Sequence, residues 1–171
     1  SDWAKYTPLH GQRLDGSEQC GMGLNCCNAS GPRGLFAVPS TVVMNSPHGL
    51  FINFYMEGSY TVETPKGRKV TLYQRTDYPH TGQIVIEVDL LQEEEMEIAL
   101  RIPAWCDQST IRAGGATITN AMPGEYFMVD RKWKKGDKIE IIFEMKGRVH
   151  TMHSQPSYMA ITRGPIVLAR D

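Results

Sequence analysis

Three of the four cysteines, Cys20, Cys26 and Cys27, fall within eight residues; the fourth, Cys106, stands alone. A thiolate is a soft metal ligand and a strong nucleophile, and both roles need a neighbouring cation or metal to hold it ionised. Cys26 and Cys27 are adjacent, and a bridge between neighbours distorts the intervening peptide, since a disulfide needs well-separated Cα atoms. Two vicinal thiols can instead give one metal two ligands, or one ligand and one nucleophile. The spacing matches no common zinc finger, and a four-coordinate site would need donors from elsewhere. Buried structural thiols are the ordinary alternative, because free cysteine is among the most buried residue types. Spacing alone leaves both readings open, and cysteine usage does not fix the redox compartment.

Other candidates read as structural. Arg131-Lys132-Trp133-Lys134-Lys135 could hold phosphate, but with no net basic charge it reads as a hairpin with solvated lysines and a packed Trp. Glu93-Glu94-Glu95 reads as a solvated turn. His150 and His153 are three apart, which on a strand sets them on opposite faces and argues against shared metal ligation. Trp105 could be a sugar platform at a strand end; a packed loop aromatic is the simpler reading. There is no Gly-x-Ser-x-Gly elbow and no glycine-rich phosphate loop. A glycosidase carboxylate pair cannot be picked out of 19 acidic residues without a fold.

The elements that would position these groups change character near residue 47. Residues 1–34 hold six glycines and no alternating run, which predicts loop. Leu35, Val38 and Val42 share one face at helical spacing, with Ser30 as N-cap, Pro32 in the first turn and Pro39 as the stop; a strand over 35–44 is the alternative. From residue 49 the period is two: Leu50 to Met56, Ile84 to Leu90, Met96 to Ile102 and Ile139 to Met145. Shorter runs lie at Tyr60–Glu63, Val70–Tyr73, Tyr126–Val129 and Met159–Leu168. Turn chemistry separates them at Pro65-Lys66-Gly67, Tyr78-Pro79-His80-Thr81-Gly82, Gly114-Gly115 and Lys135-Gly136-Asp137. The expected fold is mainly β: an antiparallel β-sandwich preceded by a loop-rich N-terminal segment with one short helix.

Size and charge bound the function. A chain of 171 residues can bury roughly 70% of its unfolded surface, enough for a core without disulfides. Eighteen Lys and Arg against 19 Asp and Glu give a net charge of −1, so no global field draws nucleic acid or anionic lipid. No apolar run reaches the ~20 residues of a membrane span. The chain opens Ser1-Asp2-Trp3 with no signal-peptide pattern, which reads as a processed or cut terminus.

Several segments, in order, resemble one family. Asn25-Cys26-Cys27-Asn28 followed by Gly31-Pro32-Arg33-Gly34-Leu35 is similar to the double-cysteine segment of glycoside hydrolase family 127, a group long filed as a domain of unknown function. Gly49-Leu50-Phe51-Ile52-Asn53-Phe54-Tyr55, Thr76-Asp77-Tyr78-Pro79, Leu100-Arg101-Ile102-Pro103-Ala104-Trp105, Tyr126 through Asp137, and Arg163-Gly164-Pro165-Ile166-Val167 resemble its later motifs. The resemblance covers about residues 20–171. It implies a bacterial retaining β-L-arabinofuranosidase that joins an (α/α)6 barrel to β-sandwich domains. It also implies a zinc ion held by one Glu and three Cys. Cys26 and Cys27 would be two of those ligands, and Cys26 the nucleophile that forms a thioglycosyl intermediate. The third Cys, the zinc Glu and the acid/base Glu lie far upstream in family members, and nearby Glu18 and Cys20 do not match their positions.

The expectation is therefore the C-terminal part of such an enzyme. Residues 1–46 would be the trailing edge of the barrel and residues 47–171 the sandwich. The whole protein would act on an L-arabinofuranoside glycan, in the cytoplasm or periplasm, with zinc bound. This chain alone would be inactive and hold zinc weakly or not at all, with no nucleic-acid or membrane partner. The alternatives are a carbohydrate-binding module presenting Trp105, or a purely structural sandwich.

Overall fold

The computed structural model describes residues 26–119, 121–152 and 155–169. The chain divides into two compact units, residues 1–41 and 42–171. In the first, helix α1 runs Cys26–Ala37 and a 3₁₀ turn follows at Pro39–Thr41. Pro39 stops the helix as its missing amide requires. The Ser40 hydroxyl donates to the Ala37 carbonyl at 2.7 Å and the Thr41 hydroxyl to that of Val38 at 2.9 Å, so side chains satisfy the last helical carbonyls. The helix starts upstream of the expected N-cap: Ser30 and Pro32 lie inside it. A capping residue is a local signal, and the good helix former Ala29 lets the turn propagate past it. The Gly-rich stretch expected as loop lies, up to residue 25, outside the described residues.

The second unit is mainly β. Its strands are β1 (Val43–Asn45), β2 (Gly49–Ile52), β3 (Gly58–Glu63), β4 (Lys69–Thr76), β5 (Gln83–Leu90), β6 (Glu94–Arg101), β7 (Ser109–Ala113), β8 (Ala116–Thr119), β9 (Tyr126–Trp133), β10 (Lys138–Phe143), β11 (Gly147–Met152), β12 (Gln155–Arg163) and β13 (Ile166–Leu168). One sheet orders β1-β2-β6-β9, a second β3-β4-β5-β10-β7-β8, and a third, small sheet β11-β12-β13. All pairs are antiparallel except β2–β6, where Gly49 lies opposite Glu97 and Ile52 opposite Leu100 in a parallel register. The region 35–44 is thus helix, then turn, then the start of strand β1.

Alternation sets the core. Leu72, Ile84, Ile86, Val88, Ile111, Ile139, Ile141 and Phe143 point inward from the six-stranded sheet. Leu50, Ile52, Met96, Ile98, Leu100 and Trp133 come from the four-stranded sheet. The six-stranded sheet's outer face is polar, crossed by Thr61–Thr71, Lys138–Glu87 and Arg112–Glu140 pairs. The β7–β8 hairpin closes through Gly114-Gly115 with φ of 59° and 85°, the left-handed pair that a two-residue type I′ turn demands.

Topology fixes which loops meet. Strands β2, β4, β6, β8 and β10 all finish at one end of the sandwich, so their following loops converge there. The hairpin turns after β3 and β7 gather at the other end, together with the turn after β9, which crosses from one sheet to the other, so the run Arg131–Lys135 does not form the expected hairpin.

Candidate functional site

The cysteines expected to carry chemistry open helix α1: Cys26 and Cys27 are its first two residues. Glu18 and Cys20 lie outside the described residues. Among the described residues no group of three or more His, Cys, Asp or Glu is placed to hold a metal ion. These residues therefore do not complete a zinc site.

Cys106 is buried and reduced, and its thiol donates to the Gln108 carbonyl at 3.1 Å. Burial pushes its pKa up, which makes it a packing residue and not a nucleophile.

The sandwich brings several of the singled-out motifs together at its loop end. Tyr55 follows β2, Tyr78 follows β4, Trp105 follows β6, and Phe143 ends β10. Trp105 stacks on Tyr78 with ring centroids 6.4 Å apart and planes 17° from parallel. Phe143 meets Tyr55, Tyr78 and Trp105 edge-on at 5.3, 6.4 and 6.1 Å. The Tyr55 hydroxyl donates to the Arg101 carbonyl at 2.9 Å. Burial raises the Tyr55 pKa strongly, and burial also raises that of Tyr78 against the opposing pull of the Trp105 indole. Such groups stay neutral and structural at ordinary pH.

The third sheet is tied to the same end. Arg148 of β11 donates to the Trp105 carbonyl at 2.7 Å and pairs with Asp107 at 2.6 Å. Arg163, at the end of β12, donates to the His80 carbonyl at 2.9 Å. A Cβ on Gly164 would lie 2.5 Å from the Met145 methyl and 3.5 Å from the Trp105 ring. The Met145 end can move aside, but the left-handed φ of 56° at Gly164 is what the β12–β13 turn requires of a glycine. Trp105 is thus a packed joint residue, the simpler of its two readings.

The remaining candidates resolve in the same direction. Trp133 is fully buried and donates to the Met96 carbonyl at 3.0 Å, with the Arg131 guanidinium 5.0 Å above its ring. Lys132 and Lys135 pair with Glu93 and Asp89 at the surface. His150 contacts Thr162 at 2.9 Å, and His153 lies outside the described residues. Glu94 corrects the solvated-turn expectation: it is 1% exposed and accepts from the Thr64 hydroxyl at 2.9 Å and the Lys66 amide at 3.2 Å. It opens strand β6 facing inward, and the signal for that was the alternation Glu94, Met96, Ile98.

Comparison with known proteins follows the geometry. Residues 49–145 match the family model for the β-L-arabinofuranosidase GH127 middle domain. No match to a curated protein sequence was found. A GH127 β-L-arabinofuranosidase from Geobacillus stearothermophilus T6 is 26% identical with a TM-score of 0.75, over 85% of this chain and 24% of that one. A solved glycoside hydrolase is 25% identical with a TM-score of 0.76, over 98% of this chain and 29% of that one. A GH127 β-arabinofuranosidase at 23% identity shares the fold, with a TM-score of 0.76 over 97% of this chain and 28% of that one. The chain therefore spans 24% to 29% of the length of these structures. Over more than half of its residues, this chain belongs to the GH127 β-L-arabinofuranosidase family, through that family's middle domain.

Proposed function

We propose that this chain is the part of a GH127 glycoside hydrolase that joins the trailing edge of the catalytic barrel to the middle sandwich, and that the whole protein cleaves a β-L-arabinofuranoside. The observation that carries this is the order of parts: an adjacent cysteine pair opening a helix, followed directly by the family's middle domain. Leu35 and Phe36, 70% and 82% exposed on that helix, are apolar groups suited to packing inside a larger helical domain.

In this reading Cys26 attacks the sugar's anomeric carbon and the leaving group departs from the opposite face, the first half of a retaining mechanism. Cys26 and Cys27 would supply two thiolate donors to a zinc ion, and the other donors and the acid/base carboxyl, which protonates the leaving group, would come from polypeptide outside the described residues. Zinc, when bound, keeps the thiol ionised at neutral pH. Among the described residues, the buried carboxylate Glu94 is engaged with Thr64 and Lys66. The sandwich's part is to hold geometry. The stacking of Trp105 on Tyr78 favours this structural role over glycan binding by an exposed aromatic platform.

Release of 4-nitrophenol from the aryl β-L-arabinofuranoside tests the reading. The whole protein is expected to turn over and to carry stoichiometric zinc, while the 171-residue chain does neither. Cys26→Ser in the whole protein is expected to lower kcat by roughly a thousandfold or more. Turnover by the isolated chain, or an unimpaired Cys26→Ser enzyme, overturns it. A flat calorimetric titration of the chain across a glycan panel is expected, and saturable binding would restore the carbohydrate-binding alternative.

A further inference from the structure

The two large sheets differ on their outer faces. That of the six-stranded sheet is crossed by polar and charged pairs. In the four-stranded sheet the register puts Met44 opposite Phe51, Phe51 opposite Ala99 and Ala99 opposite Met128. Every strand thus gives one apolar residue to a single row. Their neighbours along the strands, Leu50, Ile52, Ile98 and Leu100, are fully buried, so alternation turns the row outward. Met44 is 47% exposed and Met128 41%. Tyr126 meets Phe51 edge-on at 5.1 Å and widens the apolar surface. A sheet face that meets water is ordinarily polar, and an apolar row across all its strands is the pattern of a covered face.

The charges beside the row have a direction. Two residues along on the same face, Glu97 lies opposite Asp130; two residues along the other way, Arg101 lies opposite Tyr126. Among the described residues, Glu97, Asp130 and Arg101 form no ion pair within the chain. The face therefore has an acidic edge, an apolar middle and a basic edge. A two-fold axis lying along the row reverses the strand direction between two copies. It stacks each apolar row on the other and sets Glu97 of β6 over Arg101 of the second copy's β6, and the reverse.

We propose that two copies of this chain pair through the outer face of the four-stranded sheet, with the two-fold axis along the Met44–Phe51–Ala99–Met128 row. The interface is isologous, so one patch satisfies both copies. Its charge pattern is what selects a second copy as the occupant: each unpaired group finds its opposite only when the face meets itself in reverse. Four strands about 4.8 Å apart, over about 20 Å of strand, make a patch at the small end of specific interfaces, so the dimer is weak and reversible. The inference uses only the sandwich surface and stands apart from the arabinofuranosidase reading.

Sedimentation equilibrium of the 171-residue chain, from low micromolar to millimolar concentration, tests it. The mean mass is expected to climb from one copy toward two. A mass of one copy at every concentration overturns the proposal. Met128→Lys changes an exposed side chain on an edge strand. It is expected to hold the Tm within about 2 °C and to weaken association by about tenfold or more. Unchanged association means that the copies meet elsewhere and overturns the proposal. Charge reversal tests the axis. Arg101→Glu sets acid against acid and is expected to weaken association by about tenfold or more, an effect that salt reduces. Adding Glu97→Lys and Asp130→Lys reverses every sign and is expected to bring association back near the parent value. A triple variant that binds itself no better than Arg101→Glu alone overturns the two-fold arrangement. Neither readout depends on substrate, so failure here is separable from failure of the enzymatic reading.

Discussion

Gly49 shows how a single residue can be fixed by a neighbouring backbone. A Cβ there would lie 1.9 Å from the Glu97 carbonyl oxygen, a contact with backbone that no rotamer change relieves. Gly49→Ala is expected to destabilise the sandwich by about 3 kcal/mol or more, read as a fall in the urea midpoint. The glycine stood out in the sequence only as part of a motif; its reason is the parallel partner strand, which no local pattern announces. Tyr55 gives a pH signature. Its burial raises the folded pKa above the ordinary 10.0, so the folded chain keeps a proton that the unfolded chain releases. The stability tied to this is complete below pH 10 and is lost as pH rises above it. Tyr55→Phe is expected to cost about 1 kcal/mol at pH 8 through the lost hydrogen bond to Arg101. Between pH 10 and 11 it should lose less stability than the parent, as urea titrations at each pH would show; Tyr78 keeps part of the dependence.

At the scale of elements, alternation was the legible signal and turn chemistry located the breaks. Strands β4, β5, β6, β9 and β10 lie where period two placed them, and Pro65-Lys66-Gly67, Gly114-Gly115 and Lys135-Gly136-Asp137 are all turns. Two features hid. The run Glu93-Glu94-Glu95 looks uniformly solvated by composition, yet strand β6 begins inside it and turns Glu94 inward. That carboxylate fastens the β3–β4 turn through Thr64 and Lys66, with the Arg68 guanidinium 3.8 Å away. Glu94→Ala would strand a buried hydroxyl and an amide and is expected to cost about 2–4 kcal/mol, whereas exposed Glu95→Ala should stay within ~0.5 kcal/mol. Paired calorimetric Tm measurements would separate them. The second hidden feature is the helix start, since Ser30 and Pro32 carry the signature of a first turn but lie four and six residues into α1.

For the whole molecule, composition and periodicity gave the fold class, and the ordered motifs pointed to the family. What the sequence did not show is why motifs so far apart belong together. Tyr55, Tyr78, Trp105 and Gly164 meet because even-numbered strands all deliver their loops to one end, a property of topology and not of any segment. The chemistry stayed less legible: the cysteine pair is explicit in the sequence, but its remaining partners would come from elsewhere in a protein several times longer.

The parallel pairing of β2 with β6 has a consequence for the order in which the molecule assembles. Gly49 waits for Glu97, and three strands of the opposite sheet are synthesised between them. The β3–β4–β5 meander closes through short turns, while the β2–β6 pair must close a loop of about 50 residues, which places it late. On the ribosome, then, the first hairpin made is among the last to be anchored. A nascent chain halted before residue 94 would hold β1–β2 with no parallel neighbour to receive it.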